Sequence, residues 1–502
     1  MKRILTLILG LACLSANAQN INDVLRLGLE ESQGTARYQA MGGAFGALGG
    51  DLSSLNSNPA GSAIFNYGQF AISGSNYNRS NDQGYGSSFN NTTLNSVELN
   101  QVGGVFVFNS QNPNSNWKKM ALAVNYDLVD SFDNEYRING NSTTGVDQYF
   151  LGFANGVPFG SINYDPNSEF VDDVYLEIGE LQNFGNQQAF LGYAGGLISP
   201  ADPDNPDGES YLSNTEYSQV NQRYLQSTAG YNSKFTLNFS GQYQENLYLG
   251  ASLNFHSVLF ERFTQLDEDG YITDSPVNFS SFDNLLQTEG NGFSFSLGAI
   301  AKLNDNIRVG GSYQSPTWYY LNDNLSQQIN SNLADSEIRF INFNLINFYE
   351  DYTIQTPSKV TGSAAIVFGK DGLLSFDYSH QDFSKAELRP NNDPVFEEEN
   401  TFIASELGAV NSYKLGGEYR IERLSLRGGY QIIESPYADK QIMDDLSGYS
   451  AGLGYDFGGS KLDLSFVHTE QDMDFALLDA ASNTAASTFT NTNVTLTYTL
   501  KF

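Results

Sequence analysis

The chain has 502 residues, of which 40% are hydrophobic and 13% aromatic, with 48 glycines. Its 25 basic and 57 acidic residues give a net charge of −32, and so acidic a surface repels nucleic acid phosphates, which excludes nucleic acid as a partner. The one cysteine, Cys13, falls in the amino-terminal segment described next. The rest of the chain therefore has no disulfide, thiol nucleophile or cysteine-ligated metal.

Residues 1–18 have the pattern of a cleavable signal peptide. Lys2 and Arg3 precede an apolar run from Ile4 to Leu14, and Ala16-Asn17-Ala18 forms a small-x-small cleavage site. The mature chain is expected to start at Gln19, with 23 basic and 57 acidic residues. A lipoprotein signal anchored at Cys13 is the alternative, and the residues before this cysteine fit it poorly.

Residues 19–64 show no alternation of apolar and polar side chains. They contain the stretch Ala36-Arg37-Tyr38-Gln39-Ala40-Met41-Gly42-Gly43-Ala44-Phe45-Gly46-Ala47-Leu48-Gly49-Gly50-Asp51, followed by Asn56-Ser57-Asn58-Pro59-Ala60-Gly61. The glycines permit tight packing and unusual φ angles, whereas Pro59 fixes φ and removes a hydrogen-bond donor. This composition indicates a compact segment that lies outside any sheet.

From residue 65 onward, apolar and polar side chains alternate in repeated segments. The last segment is the clearest, since Val494, Leu496, Tyr498, Leu500 and Phe502 alternate with threonines and a lysine. This period of two predicts strands with one face toward lipid and one toward a lumen. No stretch after the signal approaches the roughly 20 apolar residues of a membrane helix. We predict fourteen strands, at 65–76, 98–109, 117–137, 225–241, 246–265, 290–303, 306–322, 352–369, 372–388, 410–420, 423–433, 446–457, 461–470 and 492–502.

The connections between these strands alternate in length. Six are tight turns: 110–116, 242–245, 304–305, 370–371, 421–422 and 458–460. The seven connections between them are long: 77–97, 138–224, 266–289, 323–351, 389–409, 434–445 and 471–491. Short periplasmic turns and long extracellular loops are typical of outer-membrane barrels. The predicted fold is an all-β, fourteen-stranded antiparallel transmembrane barrel over residues 65–502, and its carboxy-terminal Phe502 is the expected signal for the barrel-assembly machinery.

The stretch at 36–61 resembles the FadL-type family of outer-membrane transporters for long-chain fatty acids and aromatic hydrocarbons. Members carry an M-G-G-A-F-x-A-x-x-x-D stretch and then N-P-A-G. The Gln355-Thr356-Pro357-Ser358-Lys359-Val360 segment is also similar. The resemblance implies that residues 19–64 form a plug, or hatch, inside the barrel. Within this plug, Gly42, Gly43, Phe45, Asn58, Pro59 and Ala60 are expected to form either a moving gate or simply a compact filling of the lumen, and both roles are compatible. The resemblance also implies hydrophobic small molecules as partners. Asn56 and Ser57 stand where the family often has an aromatic residue, so plug contacts there are expected to differ.

The longest loop carries apolar residues at helical spacing, among them Val171, Val174, Ile178 and Leu181. One interpretation is that they pack the loop against its neighbours as a lid. The other is an apolar groove that captures substrate at the cell surface, formed by Val174, Ile178, Leu181, Phe184, Phe190, Leu191, Phe340 and Phe343.

These patterns predict a monomeric transporter in the outer membrane, in contact with its lipids, that carries hydrophobic molecules from the surface groove through the plugged lumen and out sideways. A haem receptor and an adhesin or structural barrel are the alternatives. An enzyme is not expected, because His256 and Ser257 are adjacent strand residues and point to opposite faces. We predict no cofactor. We also predict no metal, since the third acid of Asp202, Asp204 and Asp207 is one position late for a calcium loop.

Overall fold

The structure is a computed structural model that describes residues 19–165, 167–334, 346–348, 350–478 and 484–502. The predicted signal peptide and the predicted groove residues Phe340 and Phe343 lie outside these ranges. In the described part of the chain, no helix has the length and apolar character needed to cross a membrane.

Fourteen antiparallel strands close into a barrel, as predicted. The strand segments, in chain order, are β1 Gln69–Tyr85, β2 Ser88–Asn109, β3 Trp117–Ser131, β4 Asn134–Ser142, β5 Ile198–Pro200, β6 Tyr211–Ser213, β7 Val220–Tyr243, β8 Leu247–Asp269, β9 Phe279–Lys302, β10 Ile307–Gln314, β11 Trp318–Ser331, β12 Asn347–Phe348, β13 Tyr352–Gln355, β14 Lys359–Phe368, β15 Gly372–Asp382, β16 Glu387–Arg389, β17 Ala409–Ile421, β18 Leu424–Ile433, β19 Leu446–Asp456, β20 Ser460–Ala476 and β21 Thr484–Lys501.

Four of the barrel strands are interrupted. The third consists of β3 and β4, the seventh of β10 and β11, the eighth of β12 to β14, and the ninth of β15 and β16. The pair β5–β6 forms a separate small hairpin. The barrel closes because β1 pairs with β21, from Gln69 opposite Lys501 to Gly84 opposite Ala486.

Burial alternates along each strand and separates a lipid face from a lumen face. Leu464, Phe376 and Leu496 are 43%, 42% and 51% exposed on the outside, whereas neighbouring Asp463, Asp377 and Thr495 are buried inside. A bilayer requires an apolar outer band, and every second residue supplies it. The predicted alternation is therefore confirmed.

Several predicted loops are continuations of the strands. The predicted loop 77–97 is wrong, because β1 and β2 pair up to Tyr85 opposite Ser88 and form a tight hairpin. The loop 266–289 is likewise shortened by β8 and β9, and 471–491 is shortened by β20 and β21. These outer extensions stand above the bilayer, where no lipid demands an apolar face, and so they lack the pattern that predicts strands.

The amino-terminal segment lies inside the barrel, and we call residues 19–64 the plug. It contains α1 Ile21–Gly28, α2 Ala36–Ala40 and two 3-10 helices, Leu52–Asn56 and Pro59–Ile64. A polar side chain caps the amino terminus of each helix: Asn20 caps α1, Thr35 caps α2, and Asp51 and Asn58 cap the 3-10 helices. Short capped turns give a compact body without a sheet edge.

The connection from β4 to β7 forms a helical domain at the end of the barrel opposite the carboxy terminus, and we call residues 143–219 the lid. It contains α3 Val146–Ala154, α4 Val171–Leu181, α5 Phe184–Ala194, the 3-10 helix Phe159–Ser161 and the hairpin β5–β6. The helical spacing predicted at 171–181 is confirmed by α4. The connection between β16 and β17 carries α6 Pro394–Glu406, which follows the short 3-10 helix Phe383–Lys385 in chain order and was not predicted.

Candidate functional site

The backbone geometry of the plug depends on its glycines and on Asn58. Gly42 and Gly43 have φ of 60° and 75°, in the left-handed region that favours glycine. Asn58 Oδ1 accepts a hydrogen bond from Ala60 N at 3.0 Å, and Pro59 occupies the first turn of the 3-10 helix. Phe45 is fully buried, with its ring 5.4 Å from that of Tyr38. The motif residues therefore fix the plug backbone.

Glycines of the barrel wall let this backbone come very close. A Cβ at Gly298 would lie 2.0 Å from Asn58 Oδ1, and one at Gly250 would lie 2.3 Å from the Pro59 carbonyl. A Cβ at Gly310 would lie 2.2 Å from the Gly46 carbonyl. We call the wall glycines whose Cβ would collide with the plug the seat: Gly250, Gly298, Gly310, Gly416, Gly429 and Gly452. They lie on six strands, so the plug rests against much of the wall.

Hydrogen bonds then join the plug to the seat. Asn58 Nδ2 donates to the Gly46 carbonyl at 2.8 Å within the plug and to the Ala299 carbonyl of the wall at 3.0 Å. Asn238 Nδ2 of β7 donates to the Pro59 carbonyl at 2.8 Å. Asn58 thus connects three backbone segments. This role could not be read from the sequence, because the wall partners are more than 170 residues away in the chain.

A cavity of about 720 Å³ lies between the plug, the wall and the lid. Its apolar lining includes Leu29 of the plug, Phe132 and Phe260 of the wall, and Phe184 of the lid. Charged residues, among them Arg26 and Arg79, also reach it. The volume is within the range of about 300–1,000 Å³ that is common for small-molecule sites. Its mixture of apolar and charged lining suits a ligand with an apolar body.

A smaller polar space of about 60 Å³, which we call the chamber, adjoins the cavity. The two share five lining residues: Glu30, Glu31, Lys359, Ser379 and Lys414. Lys359 Nζ lies 2.7 Å from Glu30 Oε2, and Lys414 Nζ donates to Ser32 Oγ at 2.8 Å. The floor of the apolar cavity is therefore strongly polar.

The structure divides the predicted groove residues between two environments. Ile178, Phe190 and Leu191 are buried in the interior of the lid, and Val174 packs against them. Leu181 is 70% exposed to solvent, and Phe184 is the described member that lines the cavity. Of the six described groove residues, four therefore pack within the lid and one, Phe184, faces the cavity.

The lid is attached to the wall by a buried carboxylate. Glu268, at the outer end of β8, accepts hydrogen bonds from Val146 N at 3.0 Å and Gln222 Nε2 at 2.6 Å. The apolar outer face of β8 ends near Leu259, so Glu268 lies above the bilayer. Burial, together with nearby Asp147, raises the pKa of Glu268 to about 7, although its hydrogen bonds oppose the shift.

The barrel wall is interrupted beside the third strand. Backbone pairing between β2 and β3 stops at Gln101 opposite Asp127, whereas the third strand continues to pair with β7 up to Ser142. The outer half of β2 is instead joined to β4 through side chains, as when Thr92 Oγ1 accepts from Arg137 N at 3.1 Å. Phe132, at the break between β3 and β4, lines the cavity. The cavity therefore reaches the part of the wall where β2 and the third strand lack backbone pairing.

His256 and the neighbouring Ser257 lie on opposite faces of β8. His256 is buried and faces the lumen, while Ser257 is exposed on the opposite face, as predicted. His256 Nδ1 lies 3.2 Å from Asn232 Oδ1 and 3.1 Å from the Tyr319 hydroxyl. These two contacts hold the His256 ring in place on the lumen side of the wall.

A closed fourteen-stranded barrel with an internal plug and a capped apolar cavity is a plugged channel of the outer membrane. Residues 213–502 match the model of the outer membrane protein transport protein family (OMPP1/FadL/TodX). This match covers more than half of the chain, and the chain belongs to that family, as its amino-terminal motif predicted.

Solved structures show the same fold at low sequence identity. A FadL homologue of Pseudomonas aeruginosa is 12% identical, with a TM-score of 0.54 over 94% of this chain and 99% of the homologue. The toluene transporter TodX of Pseudomonas putida is 13% identical, with a TM-score of 0.50 over 95% of this chain and 99% of TodX. No curated protein sequence matches the chain significantly.

Proposed function

We propose that this protein transports hydrophobic small molecules, such as long-chain fatty acids, from the cell surface into the outer membrane. The observation that carries the proposal is the cavity of about 720 Å³, which the lid covers and the plug closes below. A solved relative of the same fold is described as a toluene transporter, so aromatic hydrocarbons are the second candidate substrates. No enzyme activity is part of this proposal.

The energetics favour lateral release. Burying one methylene contributes about 0.8 kcal/mol, so a sixteen-carbon tail gains on the order of 10 kcal/mol in an apolar site. Release of such a tail into water would be slow, whereas release into lipid retains most of that free energy. The missing backbone pairing between β2 and the third strand, beside Phe132, supports an exit at this position.

In this proposal the plug is the gate. Gly42, Gly43 and Phe45 shape its backbone, and Asn58, Pro59 and Ala60 join it to the seat. Phe184 contributes to the roof of the cavity, and the remaining described groove residues, Val174, Ile178, Leu181, Phe190 and Leu191, support the lid above it. The protein is further expected to be a monomer, cleaved after Ala18 and assembled through Phe502.

The first test is uptake of a labelled long-chain fatty acid by cells with and without the protein. Deletion should abolish saturable uptake, wild type should restore it, and Asn58→Ala/Pro59→Ala should not, although it should still assemble. Asn112→Ala, in an exposed turn, is the matched control. Unchanged uptake on deletion would reject fatty acids as substrates and direct the assay to aromatic hydrocarbons and haem.

The lateral exit has a separate test that uses the absence of cysteine after Cys13. Oxidised Thr92→Cys/Arg137→Cys should tether β2 to β4 and reduce uptake, and a reductant should restore it. Val105→Cys/Ala123→Cys is the control, because these residues are already paired between β2 and β3. If both oxidised pairs transport equally well, the exit lies elsewhere.

A further inference from the structure

The amino-terminal end of the plug is buried against carboxylates of other elements. Gln19, the first residue expected in the mature chain, is only 6% exposed, and its Nε2 donates to Asp323 Oδ2 of β11 at 2.9 Å. Two residues further on, Ile21 N donates to Glu399 Oε1 of α6 at 2.7 Å. The start of the mature chain is therefore enclosed by the wall and by α6, in a strongly acidic place.

Asp323 is the carboxylate of this place that lacks a positive partner. It is buried, and it accepts from Thr288 Oγ1 at 2.6 Å and from the Gln19 amide, which are both uncharged donors. Arg26 is within electrostatic reach, but it is already paired with Asp23. A carboxylate that is buried with neutral donors alone is unfavourable, whereas a nearby cation would stabilise it.

The Tyr352 hydroxyl is a second unsatisfied group beside Asp323. Tyr352 of β13 pairs with Leu321 of β11, and Asp323 is two residues further along the same face of β11. Side chains at such diagonal positions can reach each other. The hydroxyl is buried, has no hydrogen-bond partner among the described residues and is within electrostatic reach of Asp323. Its oxygen can accept a hydrogen bond from an ammonium group.

We propose that signal-peptide cleavage before Gln19 creates the missing cation, and that Asp323 and Tyr352 bind the new α-ammonium group and thereby fasten the outer end of the plug to the wall. The inference goes beyond the transport function, and it rests on the proposed cleavage after Ala18. In the precursor the same nitrogen is an uncharged amide, so the contact exists only in the mature chain. Removal of the signal and docking of α1 are thereby linked.

The surroundings of α1 suit a positive charge at this position. The side chain of Gln19 already contacts Asp323, so its main-chain nitrogen lies no more than one side-chain length from the same carboxylate. A positive charge ahead of a helix opposes the helix macrodipole. The carboxylates of Asp23 and Glu399 lie at this end of α1 and offset that repulsion. Arg26 supplies one positive charge against these three carboxylates, and the α-ammonium group supplies a second.

The test begins with the intact mass of the protein purified from outer membranes. A free α-amine at Gln19 gives the mass of residues 19–502. An amino-terminal glutamine can instead cyclise: the α-nitrogen bonds to the side-chain Cδ, the bond from Cδ to Nε2 breaks, and ammonia leaves. The cyclised chain would be lighter by one ammonia and would carry no charge at this position. That mass, or cleavage at a different residue, would overturn the inference.

The second measurement is the hydrogen-exchange rate of residues 21–28 in the full mature protein in lipid nanodiscs. Asp323→Asn keeps an acceptor for the Gln19 amide but removes the charge, and it should raise the exchange rate about tenfold or more. Tyr352→Phe should give a smaller rise, because it removes a neutral acceptor. Asp351→Asn is the matched control, since Asp351 is exposed just before β13. Equal exchange in Asp323→Asn and Asp351→Asn would overturn the inference.

A glycine inserted between Ala18 and Gln19 separates the terminal charge from the glutamine side chain. It moves the α-ammonium group by one residue, so exchange of α1 should rise as it does in Asp323→Asn. The two changes together should raise it no further, because both remove the same contact. Additive effects, or wild-type exchange in the insertion variant, would overturn the inference. Uptake by the deletion strain tests the transport proposal separately, so the two proposals fail in distinguishable ways.

Discussion

Arg37 Nε of the plug lies 2.9 Å from Glu418 Oε2 of the barrel wall. Glu418 also accepts from Arg427 Nε at 2.7 Å, and Arg427 Nη1 lies 2.6 Å from Asp463. The pair therefore belongs to a buried network in which Glu418 keeps a positive partner even when Arg37 is absent. This makes the plug side of the contact removable without leaving an isolated charge in the wall.

Replacing Arg37 with alanine should loosen the plug and spare the barrel. We expect hydrogen exchange of residues 36–40 to rise by about tenfold or more, with a higher ion conductance in planar bilayers, because α2 loses its ion pair with the wall. Arg420→Ala is the control, since it removes another partner of Glu418 that does not touch the plug. Equal conductance of the two variants would contradict a latching role for Arg37.

Adding a side chain at a seat glycine should displace the plug further than the loss of Arg37 does. A Cβ at Gly310 would lie 2.2 Å from the Gly46 carbonyl, so Gly310→Ala must move backbone apart rather than a flexible side chain. We expect a strain cost of about 1–3 kcal/mol and a raised conductance, while heat-modifiable migration on gels still reports a folded barrel. The comparison is Gly362→Ala on the neighbouring β14, where nothing lies within 4 Å of an added Cβ. A wild-type conductance for Gly310→Ala would show that the plug adapts to the loss of its seat.

The local stability of the lid should depend on its buried side chains and not on its exposed ones. Phe190→Ala should lower the local stability of the lid by about 3–5 kcal/mol, because its ring is fully buried and packs 5.5 Å from that of Tyr164. Leu181→Ala should change it by less than about 0.5 kcal/mol, since that side chain is mostly in solvent. Protease cleavage of the lid on intact cells measures the difference. If the two variants are cut at the same rate, the buried packing does not stabilise the lid.

Lid stability should decrease as the pH rises through about 7. Burial raises the pKa of Glu268 to about 7, so the folded lid binds a proton that the unfolded chain releases above its ordinary value. Asp147 disfavours the charged form, while Tyr271, Gln222 and Val146 N donate hydrogen bonds that partly stabilise it. The loss begins above the ordinary pKa and totals about 3 kcal/mol once the pH exceeds 7.

Protease sensitivity of the lid across this range of pH checks the prediction. Glu268→Gln should keep most of the hydrogen bonds and should remove the pH dependence. Glu261→Gln, on the outer face of the same strand, is the matched control. A pH dependence that persists unchanged in Glu268→Gln would assign it to a different group.

Within the bilayer, the sequence predicted where the strands lie but not the interruptions in four of them. The segment 492–502 reads as a strand because lipid tolerates only apolar side chains on one face, and it forms the membrane part of β21. Above the bilayer this constraint ends. Asn81 and Gln83 are buried and polar in the hairpin of β1 and β2, so no alternation of apolar residues identifies that extension.

The plug motif could be recognised, but its contacts could not. Arg37 and Glu418 are separated by 381 positions, and no local pattern connects them. The seat glycines did carry a signal, since Gly298 and Gly416 occupy lumen-facing positions in mid-strand where a side chain would ordinarily stand. Such glycines indicate close approach of another backbone, although they do not identify which one.

The pairing of β1 with β21 has a consequence for the time course of folding. Gln69 meets Lys501, so the seam joins the parts of the barrel that are most distant along the chain. Until the 18 residues of β21 arrive, both neighbouring edges of the sheet are unpaired and open to aggregation. Contacts of such long range form slowly. Substitutions along this seam should therefore lower mainly the rate and yield of barrel assembly, even where the stability of the folded barrel is unchanged.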